Sequence, residues 1–162
     1  MAIQKIRPNH TDNKRHRAKT GNPDHTITIK AEHHHIKMMF DGQIVANTRH
    51  ALTLYETGYK PVLYIPRADV QENLLQASSH HTFCPYKGDA SYYTLSSGSK
   101  LAENAVWSYE SPLSEVASVQ GHLAFFIDQL DACSQQNINL SQTIEKQAAI
   151  LNSDRVIKEG SS

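Results

Sequence analysis

The sequence predicts a mainly β domain, in which antiparallel sheets are folded into a barrel or a sandwich. Short segments of alternating residues begin at Thr26, where TITIK sets Ile27 and Ile29 against polar neighbours, as in a half-buried strand. The pair Asp41-Gly42 separates the apolar runs IKMMF and QIVAN. Both residues tolerate the positive φ of a tight hairpin. Short strands joined by short turns are typical of antiparallel all-β folds.

The remaining elements follow in chain order. ALTLY and PVLYI predict a second strand pair around Thr57-Gly58. After Pro66, the run RADVQENLLQ predicts a short helix with Asp69 near its N-terminus, where a carboxylate commonly caps the first turn. Further strands are expected at HTFC, ASYYTL, VWSY and HLAFF. A C-terminal helix is predicted over 140–151, because its apolar residues recur at helical spacing.

Three regions result. Residues 1–24 are polar and basic and predict a disordered N-terminal tail, because too little apolar surface offsets the entropy of ordering. Residues 25–130 form the mainly β domain. Residues 131–162 are expected to be a helical extension, which packs as an appendage or docks on a partner.

Composition narrows the classes of function. Sixteen basic and sixteen acidic residues cancel, whereas a nucleic-acid binder usually carries a basic surplus. Cys84 and Cys133 form no CxxC pair, which favours free thiols in a reducing compartment. No apolar segment resembles a leader or approaches the roughly 18 residues of a membrane span. We therefore expect a cytoplasmic protein that binds neither membrane nor nucleic acid, with self-association left open.

The segment from His81 to Tyr93, HTFCPYKGDASYY, is the densest set of reactive groups. Cys84 would be a nucleophile or redox thiol if Lys87 and the nearby histidines favoured its thiolate. It would equally serve as a small buried apolar residue. Lys87 could hold a carboxylate or phosphate beside Tyr86, or it could be a solvated turn residue.

Further candidates stand at strand ends. Glu56 could act as a general base and Arg67 as an anion clamp beside Asp69, for which a capping role competes. Trp107 and Tyr109 share one strand face. They could wall a ligand pocket, although aromatic residues pack into cores more often.

Known metal and nucleotide motifs are not evident. His33, His34 and His35 invite a metal hypothesis, but His33 and His35 would still need a third ligand to bind zinc. No HExxH, phosphate loop or GxSxG elbow occurs. No metal is therefore predicted, and any cofactor is unknown.

An ordered series of motifs resembles a known family. DGQIVANT, LYETGYKPVLYIPRADV, TFCPYKGDASYY, NAVWSYESP and GHLAFF are similar to the uncharacterised family of domain of unknown function 427, over roughly residues 26–130. The resemblance implies a small antiparallel β-tent or Mss4-like domain. Some relatives of that fold bind zinc through CxxC pairs, which this chain lacks. One label attached to the family suggests nucleotidyl transfer, but the chain has no paired-carboxylate metal motif. The family's signature positions match Glu56, Pro66, Arg67, Asp69, Cys84, Pro85, Lys87, Gly88, Trp107 and Tyr109 here, while Asn47 stands where the family usually has Asp.

The leading hypothesis is a domain that binds a small polar or anionic molecule at strand ends. Glu56, Arg67, Lys87, Trp107 and Tyr109 would then converge on one concavity. An enzyme that uses Cys84 with support from Lys87 and Glu56 is the alternative. A protein-interaction module that docks through the C-terminal helix is a second alternative.

Overall fold

The computed structural model describes residues 23–137, and they form two antiparallel sheets. The predicted mainly β class is confirmed, and neither sheet closes into a barrel. The ten strands are β1 (Ile27–Ala31), β2 (His34–Phe40), β3 (Gln43–Thr48), β4 (Leu52–Glu56), β5 (Val62–Pro66), β6 (Leu75–Cys84), β7 (Gly88–Ser96), β8 (Leu101–Ser108), β9 (His122–Phe125) and β10 (Ala132–Asn137).

The larger sheet has seven strands in the order β1-β4-β5-β9-β8-β7-β6, and the smaller has the order β10-β2-β3. Both predicted hairpins are present, because β2 pairs with β3 and β4 pairs with β5. Asp41 and Gly42 have φ values of 48° and 72°, as both central residues of a type I′ turn require.

The small sheet packs on one face of the large sheet, and the side chains between them form what we call the inner core. In β2 and β9 alternate residues enter it, as the period of two along a strand dictates. Its fully buried members include Ile36, Met38, Phe40, Val45, Ile65, Leu95, Val106 and Leu123.

The opposite face of the large sheet carries a second cluster, which we call the outer core. Leu54, Tyr64, Ala124 and Tyr109 are buried there. A 3₁₀ segment, Ser114–Val119, contributes two further buried valines to the outer core. Each face of the large sheet is thus covered by different parts of the chain.

The prediction of a short helix in RADVQENLLQ is wrong. The chain instead forms two 3₁₀ turns, Arg67–Asp69 and Glu72–Leu74, and then enters β6. The backbone between the turns is tied to β3, since Val70 bridges Ala46 and the Gln71 amide donates to the Val45 carbonyl. These bonds to a neighbouring strand replace those that a continuous helix would form.

Asp69 does not cap a helix. The first 3₁₀ turn has no side-chain cap, and Asp69 Oδ2 accepts a hydrogen bond of 2.7 Å from the Thr48 hydroxyl. The carboxylate thus links the turn to the end of β3.

The β domain continues past residue 130. Residues Ala132–Asn137 form β10 and pair with β2 along its length. The predicted extension from 131 therefore begins with a strand of the small sheet. The helix predicted at 140–151 lies outside the described residues, as does almost all of the predicted tail. Within residues 23–137, no helix is long and apolar enough to cross a membrane.

Candidate functional site

The candidate residues divide between the two faces of the large sheet. On β7 and β8, Tyr92 pairs with Trp107, while the next residue, Tyr93, pairs with Val106. Tyr92 and Trp107 pack against the outer core, whereas Tyr93 packs against the inner core. The candidates therefore form two groups rather than one concavity.

On the outer face, a cluster of charged side chains surrounds Glu56. Its Oε1 accepts a hydrogen bond from Lys87 Nζ at 2.5 Å, and its Oε2 accepts one from His25 Nε2 at 3.0 Å. The His25 ring stacks on Tyr86 with centroids 3.8 Å apart. Glu56 and Lys87 are only 7% and 12% exposed. We call these four residues the Glu56 cluster; it joins the segment before β1 to the β6–β7 turn.

Aromatic side chains adjoin this cluster. Burial raises the pKa of Tyr64 to about 12, although a hydrogen bond from Trp107 opposes the shift and Glu56 and Cys84 add to it. Burial likewise raises the pKa of Tyr109, with smaller contributions from Tyr64 and Cys84. Trp107 also packs against Phe126, with centroids 4.7 Å apart. The Trp107–Tyr109 face predicted from alternation is thus part of the outer core.

Cys84 is half-buried and packs against the outer core. Its carbonyl accepts the Lys87 amide at 3.2 Å, which closes the β6–β7 turn. Cys84 is a free cysteine, and its thiol lies close enough to Tyr64 and Tyr109 to affect their pKa values. This position fits the packing role considered for it, and the nucleophilic role stays a prediction.

On the other side of the sheet, a cleft of about 330 Å³ opens next to Arg67. We call it the Arg67 cleft. It lies where β5 and β8 end and where the turn before β9 begins. Its lining residues are Arg67, Tyr93, Ser108, Glu110, Gln120, Gly121 and His122.

Arg67 is held at the rim of this cleft by three partners. Its Nη2 donates to the Tyr93 hydroxyl at 2.8 Å, and its Nη1 donates to Glu72 at 3.1 Å. The Tyr93 hydroxyl in turn donates to Glu110 at 3.1 Å, and Glu110 lies 3.8 Å from Arg67 Nη2. The hydrogen bond with Tyr93 raises the pKa of Arg67, against partial burial, and Glu72 raises it further.

Ser108 contributes an unsatisfied hydroxyl. The residue is 3% exposed and lines the Arg67 cleft. Among the described residues, its Oγ is the one buried side-chain oxygen or nitrogen without a hydrogen-bond partner. A buried polar group in this state costs free energy and calls for an explanation.

Sequence reasoning missed several of these residues. His25 lies in the segment assigned to the start of the domain, and it meets Glu56 from 31 positions away. Tyr64 lies in the middle of the apolar run PVLYI, and this position indicates only that its side chain packs in the core. Ser108 stands between Trp107 and Tyr109, and the same alternation that places those two on one face places Ser108 on the other. That signal could have identified it.

The comparisons with known proteins concern the whole β domain. Residues 28–136, more than half of the chain, match the family model described as a domain of unknown function, DUF427. The chain belongs to the DUF427 family. This confirms the predicted family, and the match reaches into β10. No curated protein matches the chain.

Two of the three consecutive histidines in this DUF427 domain have local partners. His34 Nδ1 donates to Glu32, and His35 pairs with Asn47 on β3. Within residues 23–137, no three His, Cys, Asp or Glu side chains come together as a metal site.

Proposed function

We propose that this DUF427 domain binds a small polar molecule in the Arg67 cleft. The observation that carries the proposal is the Ser108 hydroxyl, which lines the cleft without a partner. A ligand that hydrogen-bonds to Ser108 would remove the cost of burying this group.

The size and lining of the cleft support the same proposal. Its volume of about 330 Å³ is at the small end of the range for ligand pockets, roughly 300–1,000 Å³. Arg67 is held by Tyr93 and Glu72, so its guanidinium is oriented before a ligand arrives. Such preorganisation reduces the entropy lost on binding. Arg67 is thus the anchoring cation of the proposed site.

The Glu56 cluster is not part of this proposed site, because it lies on the outer face and none of its residues lines the Arg67 cleft. In this proposal Lys87 and Tyr86 stabilise the fold through the Glu56 cluster, and Trp107 and Tyr109 do so through the outer core. The Arg67 cleft keeps one residue of the predicted set and adds Ser108, Tyr93 and Glu110.

The test combines ligand detection with a variant at Ser108. The full chain is purified and analysed by native mass spectrometry for copurified molecules, and thermal shifts are then measured with a library of polar metabolites. We expect at least one compound to raise the melting temperature of the wild type, and Ser108→Ala to lose most of that shift.

Ser108→Ala also distinguishes a binding role from a structural one. The substitution removes an unsatisfied buried hydroxyl. The free energy of unfolding of the ligand-free variant should therefore equal that of the wild type or exceed it, by at most about 3 kcal/mol. A library without any stabilising compound would overturn the proposal, as would a Ser108→Ala protein that retains the full ligand shift.

A further inference from the structure

Charges of both signs lie at the Arg67 cleft. Arg67 supplies one positive charge and Glu110 one negative charge, while Glu72 holds the far side of the guanidinium at 3.1 Å. His122 Nδ1 donates to the Gln120 carbonyl at 3.0 Å. A simple anion attracted by Arg67 would be repelled by Glu110. A simple cation attracted by Glu110 would be repelled by Arg67.

The two opposite charges also lie close together. Arg67 Nη2 and Glu110 Oε1 are 3.8 Å apart, and their side chains are 38% and 59% exposed. A pair at this separation and exposure contributes little to stability, so a ligand can take over both partners at small cost. A complementary ligand carries two opposite charges that are likewise only a few ångströms apart.

We propose that the Arg67 cleft takes a compact zwitterion of the α-amino-acid class. The inference rests on the proposed function and specifies its ligand. The ligand carboxylate binds the Arg67 guanidinium, and the ligand ammonium group binds Glu110. Ser108 Oγ supplies a buried hydrogen bond to a polar group of the ligand. Tyr93 contacts both Arg67 and Glu110, so it positions the two charges relative to one another.

The test measures the binding of five probes to the full chain by isothermal titration calorimetry at low salt, where charge effects are least screened. The probes are glycine, L-alanine, acetate, methylammonium and γ-aminobutyrate. We expect an α-amino acid to bind at least tenfold more tightly than acetate or methylammonium. γ-Aminobutyrate should bind less tightly than glycine, because its charges are too far apart.

Glu110→Gln provides the sharper readout. It removes the carboxylate that would bind the ligand ammonium group, so α-amino-acid affinity should fall about tenfold while acetate affinity rises or stays the same. The matched control is Glu103→Gln on β8, whose carboxylate lines a different cleft with Gln76 and Asn104. That control should change neither affinity.

The possible results separate the two proposals. If acetate binds as tightly as glycine and Arg67→Lys weakens both, the cleft is an anion site; the zwitterion falls and the proposed function stands. If no probe binds but a library compound gives a thermal shift that requires Ser108, the zwitterion proposal is again rejected and the proposed function stands. If no probe and no library compound binds, both proposals fall.

Discussion

Lys87 and Glu56 form a buried ion pair between the β6–β7 turn and the end of β4. Nζ lies 2.5 Å from Oε1, and neither side chain is more than 12% exposed. From the sequence, Lys87 is a candidate ligand anchor and Glu56 a candidate general base. Their contact joins the β6–β7 turn to β4, which is not a neighbour of β6 or β7 in the large sheet.

Removing one partner of this pair should destabilise the fold strongly. Lys87→Met leaves the Glu56 carboxylate buried beside His25 without its strongest cation, and we expect a loss of about 3 kcal/mol in the free energy of unfolding. Urea denaturation measures it. The exposed pair Lys100–Asp131 is the control, and Lys100→Met should cost less than about 1 kcal/mol. The double variant Glu56→Gln/Lys87→Met should lose less than the two single losses combined, and strict additivity would show that the pair is not coupled.

Tyr64 should ionise late. Burial raises its pKa to about 12, whereas an unfolded tyrosine ionises near pH 10. Its contribution to stability is therefore complete below about pH 10 and is lost as the pH rises through 12. The measurement is a spectrophotometric titration of the wild type minus that of Tyr64→Phe. A difference curve centred near the ordinary tyrosine pKa would refute the burial argument.

Glu32 should make stability depend on acid pH. Burial acts to raise its pKa, but hydrogen bonds from His34 and Thr53 outweigh burial and leave the pKa below 4.5. The stabilisation is present above pH 4.5 and is lost as the pH falls through the lowered value. We expect Glu32→Gln to be less stable than the wild type near neutral pH, and the difference to close in acid. A difference that is the same in neutral and acidic urea titrations would contradict this prediction.

Cys133 should be alkylated slowly. Burial raises the pKa of Cys133, so its thiolate is scarce at neutral pH and iodoacetamide should modify it slowly in a Cys84→Ser protein. The Cys133→Ser protein tests the alternative in which Cys84 is a nucleophile or redox thiol. A rate that levels off well below the pH expected for an ordinary thiol would support that alternative. Ordinary behaviour, or reaction only after unfolding, would eliminate it.

Local sequence patterns were sufficient for most of the fold. Alternation located β1, and Asp41-Gly42 located the first hairpin, because these signals depend on neighbours in the chain. Patterns did not reveal that Val70 pairs with Ala46, and that contact replaces the expected helix. A bond to a distant strand overrides the local helical preference, and the sequence of the short segment does not indicate that bond.

The site was harder to predict for the same reason. Residue types indicated Arg67 and Lys87 as candidates but could not tell that they occupy opposite faces of one sheet. Arg67 reaches Tyr93 from 26 positions away, and such contacts depend on the pairing of whole strands. Ser108 has an ordinary residue type, and only the packed structure shows that its hydroxyl lacks a partner.

The consecutive residues Tyr92 and Tyr93 give β7 a further property. One belongs to the outer core and the other adjoins the Arg67 cleft, so odd and even positions of the same strand serve different purposes. Inserting a single residue upstream in β7 would exchange the faces of every following side chain, whereas inserting two would restore them. The parity of a length change, more than its size, should therefore decide whether descendants of this chain keep both faces intact.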